Sequence, residues 1–295
     1  MGYDLWTSPI TGYRRKGTRL SELRSVLGTG ITARTILEPL QSCFLNAPAQ
    51  EIALLLKERG FDVAGVQSAE KGPVMGFVAA KSLRDGTVKD LAEPLHAEHL
   101  VSDATPLGEL LRLLRSKERV FVLVGPEVKG IITLADLNKP SVRVYLFGLV
   151  SILEMHLRFW VFMSYGQDGW QHELKDDRLR IANELQAERR NRTEEIALID
   201  CLQFCDKRDL IVAKADLRAK LSLGSKTKSA SLFGEAEDLR NRLAHSQQDL
   251  VQGTSWPDLI QLVESLEVVV HRSDDAVEEM AKVSGKGLNG LLVAV

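Results

Sequence analysis

The chain has few cysteines, and its charges nearly cancel. Three cysteines in 295 residues do not suggest a disulfide framework. The 38 Lys and Arg residues against 40 Asp and Glu leave a formal net charge of −2. No overall basic field therefore attracts the protein to nucleic acid, and any RNA site must be local. The length suggests two domains, and the 44% of hydrophobic residues is typical of a soluble protein.

The chain also lacks an uninterrupted apolar segment. Its first residues have no apolar core of the kind found in a signal peptide. The run from Val144 to Met163 is long enough to suggest a membrane span. However, Glu154, His156 and Arg158 lie near its centre, where ionisable groups are costly in lipid. We therefore expect no membrane association, a cytoplasmic location, and a central bundle helix buried nearly all round.

The first half of the chain contains an internal duplication. Each copy begins with an apolar helix entered through proline, after Asn46–Pro48 in the first copy and Asp103–Pro106 in the second. Each helix is followed by two short apolar runs that are typical of buried strands. The second run of each copy contains a glycine, which suggests a turn or a close backbone approach.

This helix–strand–strand–helix duplication resembles a tandem pair of CBS domains, named for cystathionine β-synthase, over about residues 34–139. The resemblance implies that a cleft between the copies binds an adenosine-containing ligand. The family contacts ribose and phosphate through a short motif that the second copy has in full, with Gly130, Thr133 and Asp136 at its defining positions. A carboxylate there accepts hydrogen bonds from ribose hydroxyls, and the threonine hydroxyl reaches phosphate beside helix N–H donors.

The first copy departs from this motif. Ala79 replaces the hydroxyl and Ser82 replaces the carboxylate. The resemblance therefore implies one site for AMP, ADP or ATP, acting as a regulatory ligand, with Lys81 as a candidate phosphate contact. An alternative stays open in which Thr133 and Asp136 only start a helix, because threonine followed three residues later by an acid is also a common helix start.

The second half of the chain has a helical pattern from Pro140 onward, and Asn191 with Glu194 suggests a capping box that opens a new helix. The predicted fold class is α+β, with an N-terminal α/β CBS-domain pair followed by an all-α up-and-down helical bundle. The predicted domains are an N-terminal arm (1–33), the CBS pair (34–139), the bundle (140–283) and a tail (284–295).

The segment from Arg240 to His245 carries the strongest chemical signal. Histidine exchanges a proton near neutral pH, and arginine binds phosphate through a planar fork of donors. With Asn241 directly after the arginine, the segment resembles the Rx4–6H signature of the HEPN family (higher eukaryotes and prokaryotes nucleotide-binding domains). Many HEPN members are metal-independent ribonucleases. The resemblance spans about residues 141–275, but only this segment is specific to the family.

Helical geometry predicts where the motif points, since successive residues are ~100° apart. The apolar stripe that must face the core consists of Leu232, Ala236, Leu239 and Leu243. Asn241 and His245 are four residues apart and lie opposite this stripe, together with Asp238. Arg240 lies to one side, and its long side chain can reach toward the histidine.

An outward face is screened by water, so we expect two subunits of a homodimer to pack these faces into one composite cleft, as the HEPN resemblance implies. There His245 exchanges protons with the ribose 2′-hydroxyl or the leaving oxygen of RNA. Arg240 stabilises the phosphoryl charge, and Asn241 positions the phosphate. The product carries a 2′,3′-cyclic phosphate, and no metal is required. Glu154 is a further catalytic candidate, with an i,i+4 ion pair to Arg158 as the alternative.

Two other functions stay open. The protein could be a non-catalytic adenine-nucleotide sensor whose bundle serves as a dimerisation or RNA-binding module. Only the ribonuclease needs both Arg240 and His245, so these two residues distinguish the hypotheses. The CBS pair could instead regulate a separate transporter or enzyme.

Overall fold

The structure is a computed structural model that describes residues 19–70, 72–166, 168–192, 196–245 and 249–284. The chain forms two compact units. Residues 28–142 form the first, which we call the α/β unit. Residues 19–27 and 143–284, as far as they are described, form the second, which we call the helical unit. Residues 19–27 of the predicted arm thus group with the helices. Residues 1–18 of the predicted arm and residues 285–295 of the predicted tail lie outside the described residues.

The α/β unit consists of two equivalent sets of short elements. A helix that begins before the unit, α1, spans Leu20–Gly30. The first set comprises α2 (Ala33–Ile36), β1 (Glu38–Pro39), β2 (Ser42–Phe44), α3 (Ala49–Arg59), β3 (Val63–Gln67) and β4 (Val74–Ala79). The second set comprises α4 (Val88–Leu91), β5 (Glu93–Pro94), β6 (Leu100–Ser102), α5 (Leu107–Leu114), β7 (Arg119–Val124) and β8 (Glu127–Thr133).

These strands form two four-stranded sheets, in the orders β2-β3-β4-β5 and β6-β7-β8-β1. In each sheet the first pair is parallel and the other two pairs are antiparallel. The edge strand of each sheet belongs to the other set, because β5 pairs with β4 and β1 pairs with β8. The internal duplication is therefore confirmed, and each set opens with a short threonine-capped helix, α2 or α4, ahead of the apolar helix that the sequence predicted.

A buried apolar cluster joins the two sets. Val63, Phe77, Ala79 and Phe121 form it, and the ring centroids of Phe77 and Phe121 are 5.0 Å apart. Gly76 allows the close approach of β5, because a Cβ atom there would lie 2.6 Å from the Glu93 carbonyl oxygen. The cluster therefore packs β3 and β4 of the first set against β7 of the second.

The second half of the chain is helical, as predicted. Its helices are α6 (Pro140–Tyr165), α7 (Asp176–Asn191), α8 (Phe204–Ala213), α9 (Ala215–Lys220), α10 (Lys226–Ala244) and α11 (Trp256–Ser284). Asn191 is the last residue of α7, so it does not open a new helix as predicted. Glu194, the other half of that capping box, lies outside the described residues. The up-and-down order of the bundle stays a prediction.

Helix α6 is, among the described helices, the one long and apolar enough to cross a membrane, with a mean hydropathy of 1.5. Sixty-one per cent of the apolar 18-residue segment of this helix is buried inside the protein, which favours the predicted core helix. The burial is less complete than predicted, because Val144 and Phe147 are exposed. Polar bonds tie α6 to α11: Tyr145 Oη donates to Glu267 Oε1 over 2.6 Å, and Trp160 Nε1 donates to Ser273 Oγ over 2.7 Å.

Helix α1 packs against α11 within the helical unit. The backbone N–H of Leu20 donates to Asp274 Oδ2 over 2.9 Å, and Arg24 forms an ion pair with Glu267. The Leu20 side chain is 2% exposed, although it lies near the beginning of the described chain. These contacts make α1 part of the core of the unit.

We therefore expect Leu20→Ala to destabilise the helical unit by about 2 kcal/mol, the low end for a buried leucine, because the site lies at a helix end. The matched control is Val26→Ala in the same helix, where the side chain is 70% exposed and little should change. The shift of the urea midpoint measures the difference. Equal midpoints for the two variants would contradict the packing of α1.

Candidate functional site

A cavity of about 580 Å³ lies in the α/β unit, within the size range of small-molecule sites. Both halves of the duplication line it. The first set contributes 38–41, 60–63 and 79–81, and the second contributes 118–119, 131 and 133–136. Of the three residues predicted to contact a nucleotide, Thr133 and Asp136 line the cavity. Gly130 does not line it; a Cβ atom there would lie 3.0 Å from the Leu37 side chain, so its role in the fold is close packing.

Thr133 and Asp136 also form the helix start that was the structural alternative. The Thr133 N–H donates to Asp136 Oδ2 over 2.7 Å, and Thr133 Oγ1 donates to the same oxygen over 3.0 Å. They cap a 3-10 helix over Leu134–Asn138. An ionised carboxylate has about four acceptor positions, so this cap leaves capacity for a ligand. The structural and ligand-binding roles are compatible.

Lys139 fixes the Asp136 carboxylate from the other side. Its Nζ atom lies 2.9 Å from Asp136 Oδ1 and 2.6 Å from Glu38 Oε1, and it also donates to the Ile36 carbonyl oxygen. Burial lowers the pKa of the Lys139 ammonium, but the hydrogen bonds to Glu38 and Asp136 outweigh burial and raise it above its ordinary value. Asp136 is thus held at the cavity by a lysine whose charged form is stabilised.

Three further side chains give the cavity a mixed lining. Lys81 lines it, and its Nζ atom lies 3.8 Å from Glu118 Oε2, with 74% of the lysine side chain exposed. Arg119 lies closer to the same carboxylate, at 2.8 Å. Phe61 presents an aromatic ring that is 41% exposed, although it lines a cavity. Sequence reasoning named Lys81 but missed Phe61 and Arg119.

The motif helix in the helical unit is α10, with Ser225 as its N-cap. Ala236, Leu239 and Leu243 are buried, which confirms most of the predicted apolar stripe. Leu232 is only half-buried, and Phe233, which was not assigned to the stripe, is fully buried instead. The core-facing side of α10 is therefore rotated slightly from the predicted one.

The polar motif residues lie away from this core. Asp238 and His245 are exposed, and Arg240 and Asn241 are half-buried. Arg240 Nη1 donates to Asn241 Oδ1 over 3.3 Å, so these two side chains are brought together. His245 ends the helix, and its backbone N–H donates to the Asn241 carbonyl oxygen over 3.0 Å. Within the described ranges, no side-chain hydrogen bond joins the His245 ring to Arg240 or Asn241.

Glu154 contacts α8. Its Oε1 atom lies 2.7 Å from Lys207 Nζ, and the Lys207 side chain is only 7% exposed. The alternative i,i+4 pair with Arg158 is wrong, because Arg158 pairs with Asp200. In the described part of the chain, no hydrogen bond or ion pair links Glu154 to the motif residues. Among the described residues, no group of three or more His, Cys, Asp or Glu side chains could hold a metal ion.

No family model matches the chain. Among curated proteins, it is similar to a zinc metalloprotease of Methanocaldococcus jannaschii, with 34% identity over 86 residues. That match covers 28% of this chain and 23% of the relative. The chain thus spans about a quarter of the length of this curated relative.

Similar solved structures include CBS-domain proteins, which match about 40% of the chain in its N-terminal part. CBSX2 from Arabidopsis thaliana is 21% identical, covers 39% of this chain and 94% of its own, and has a TM-score of 0.33. A structure of CBSX2 in complex with AMP has a TM-score of 0.34 at the same identity, with coverages of 39% and 98%. The CBS domain of a bacterial CNNM/CorC family Mg²⁺ transporter in complex with ATP is 18% identical, with coverages of 42% and 94% and a TM-score of 0.33.

Proposed function

We propose that the α/β unit binds an adenine nucleotide, AMP, ADP or ATP, in the cavity at Thr133 and Asp136, and that this ligand regulates the helical unit. The observation that carries the proposal is the cavity itself. Strand ends from both halves of the duplication surround it, and a carboxylate that is 7% exposed lies in its lining. The cap and the ion pair with Lys139 leave acceptor capacity on this carboxylate, and ribose hydroxyls supply donors for it.

The lining offers a place for each part of a nucleotide. Leu40, Ile131 and the exposed ring of Phe61 suit the flat adenine base, since base–aromatic stacking contributes about 1–3 kcal/mol. Asp136 suits the ribose, and Thr133 Oγ1 suits the first phosphate if its single O–H turns from Asp136 to the ligand, while the Thr133 N–H keeps the cap. The matching position in the first copy is Ala79, which has no hydroxyl. We therefore propose one nucleotide per chain.

The test compares two helix caps of the same design. Asp136→Asn is expected to weaken nucleotide binding roughly 10- to 100-fold, the value of hydrogen bonds to a charged acceptor. Asp90→Asn is the matched control, because Asp90 accepts from the N–H and Oγ1 of Thr87 over 3.1 Å and 2.8 Å but does not line the cavity. Isothermal titration with AMP and ATP measures both. Equal affinities in the two variants would reject the site.

We also propose a second activity, that the helical unit is a metal-independent endoribonuclease of the HEPN type that acts as a homodimer on RNA. The support is the orientation of the motif: Asp238 and His245 are exposed, and Arg240 is oriented by Asn241. In a composite cleft formed by two copies of this face, each active site has the charge and proton-transfer groups that RNA cleavage needs.

The reaction proposed for this cleft is an intramolecular transesterification of the RNA phosphodiester. The ribose 2′-oxygen attacks the adjacent phosphorus while His245 of one subunit takes its proton, and the bond to the 5′-oxygen breaks as a second histidine protonates that oxygen. Arg240 stabilises the charge that develops on the phosphoryl oxygens, and Asn241 positions the phosphate. The products are a 2′,3′-cyclic phosphate and a free 5′-hydroxyl.

Cleavage of labelled single-stranded RNA in EDTA separates this activity from a non-catalytic nucleotide sensor. The ribonuclease predicts fragments with cyclic-phosphate ends, at a rate that AMP or ATP changes. A regulatory ligand has this effect only if it binds two arrangements of the protein with different affinity. Intact RNA with every nucleotide, from protein shown to bind that nucleotide, would favour the sensor with a dimerising or RNA-binding bundle.

A further inference from the structure

A smaller cavity of about 250 Å³ adjoins the proposed nucleotide site. Glu118 and Arg119 line both cavities, so these two residues form the boundary between them. The smaller cavity is also lined by His99 and Lys117. Lys117 Nζ donates to the Glu98 carbonyl oxygen, so its ammonium charge is not neutralised by that contact. Two cations, Arg119 and Lys117, thus line the smaller cavity beside the acidic residues Glu98 and Glu118.

Strand register places Arg119 beside Thr133. The two residues are direct partners in the antiparallel pairing of β7 with β8. Side chains of direct partners lie on the same face of a sheet, with Cβ atoms about 4.5–5.5 Å apart. The Arg119 side chain therefore starts beside the hydroxyl that we assign to the first phosphate, and its guanidinium, at the far end of the side chain, contacts Glu118. The equivalent partners in the first copy are Val63 and Ala79, which offer no polar group.

The carboxylate of Glu118 already lies between two cations, Arg119 and Lys81. The Glu118 carboxylate is 2.8 Å from Arg119 and 3.8 Å from Lys81, although its side chain is 70% exposed. Exposed ion pairs of this kind contribute only about 0–1 kcal/mol. A phosphate group carries more charge than a carboxylate and offers more acceptors to a guanidinium, so it can displace Glu118.

We infer that the nucleotide site selects a nucleoside triphosphate over a monophosphate, with the outer phosphates displacing Glu118 from Arg119 and Lys81 and extending toward Lys117. The inference rests on the proposed nucleotide site and specifies its ligand. AMP has a phosphate for Thr133 but none for Arg119. ADP and ATP add the groups that make these contacts.

Titration of the full-length protein with AMP, ADP and ATP in EDTA tests the inference. ATP is expected to bind at least tenfold more tightly than AMP, which corresponds to about 1.4 kcal/mol. Arg119→Met should remove most of that difference while changing AMP affinity less than about twofold. Glu118→Gln should raise ATP affinity by removing the competing carboxylate. Lys129→Met is the control, because this exposed cation lies on β8 outside both cavity linings.

The outcomes separate the inference from the proposed function. Equal affinities for AMP and ATP, or an equal loss of both in Arg119→Met, would overturn the triphosphate selectivity and leave the nucleotide site in place. Unchanged ATP affinity in Glu118→Gln would contradict the displacement. Absence of binding by all three nucleotides would reject the proposed nucleotide site together with the inference.

Discussion

His245→Ala is expected to reduce RNA cleavage in EDTA by about 10²- to 10⁴-fold, the usual contribution of a positioned general acid or base. The side chain is exposed and makes no described side-chain hydrogen bond, so its removal should leave the fold intact. Initial rates of fragment formation measure the effect, and thermal unfolding of the same samples verifies that the variant is folded.

The chain offers a matched control for this variant. His271 is also an exposed helical histidine, with 65% of its side chain exposed, and it lies on α11 where Nδ1 is 3.1 Å from Asp275. His271→Ala should cleave RNA at the wild-type rate. If His245→Ala cleaves as fast as His271→Ala, the motif histidine is not catalytic, and the helical unit is better interpreted as a dimerising or RNA-binding module.

Arg240 should be sensitive to geometry as well as to charge. Lysine at this position keeps the positive charge but loses the planar fork that binds two phosphoryl oxygens. Arg240→Lys should therefore also cleave slowly. A fully active Arg240→Lys variant would mean that Arg240 contributes only its positive charge and not its planar geometry.

Periodic patterns predicted the parts of the structure that depend on near neighbours in sequence. The stripe on α10 was largely correct, because Ala236, Leu239 and Leu243 share a face of any helix with ~100° per residue. The edge of the stripe was predicted incorrectly, since Phe233 is buried and Leu232 is half-buried. Burial at the edge of a stripe depends on where neighbouring helices pack, and the periodicity of one helix does not contain that information.

The short first elements of each repeat were visible in the sequence but were not predicted. Glu38-Pro39-Leu40 and Glu93-Pro94-Leu95 are identical triplets, and each begins with a two-residue edge strand after a threonine-capped helix. Strands this short have too few residues for alternation to reveal them. Their exchange between the two sheets is a property of the tertiary fold.

Contacts between residues far apart in sequence come from strand register at the cavity and from ion pairs in the helical unit. Arg119 faces Thr133 only because β7 and β8 pair in one register, and a shift of one residue would move the side chain to the other face. Glu154 and Lys207 are likewise 53 positions apart. Rules for i,i+4 pairs consider only neighbours within a helix, so they offered Arg158 as the partner.

Glu154→Gln is expected to destabilise the helical unit by about 3 kcal/mol, because it leaves the buried ammonium of Lys207 without a countercharge. This is the low end for a broken buried pair, since 27% of the Glu154 side chain is exposed and water can reach it. Urea unfolding at pH 7 measures the loss. The same variant, assayed at a temperature where it is folded, should cleave RNA normally if Glu154 has a structural role.

Removing both charges separates electrostatics from packing. The double variant Glu154→Leu/Lys207→Met should recover most of the lost stability, because neither side chain then needs a countercharge. A double variant as unstable as Glu154→Gln would mean that the shape of the side chains, and not their charges, stabilises this contact between α6 and α8. A folded Glu154→Gln protein that fails to cleave RNA would instead return Glu154 to the catalytic set, with Lys207 as the residue that positions it.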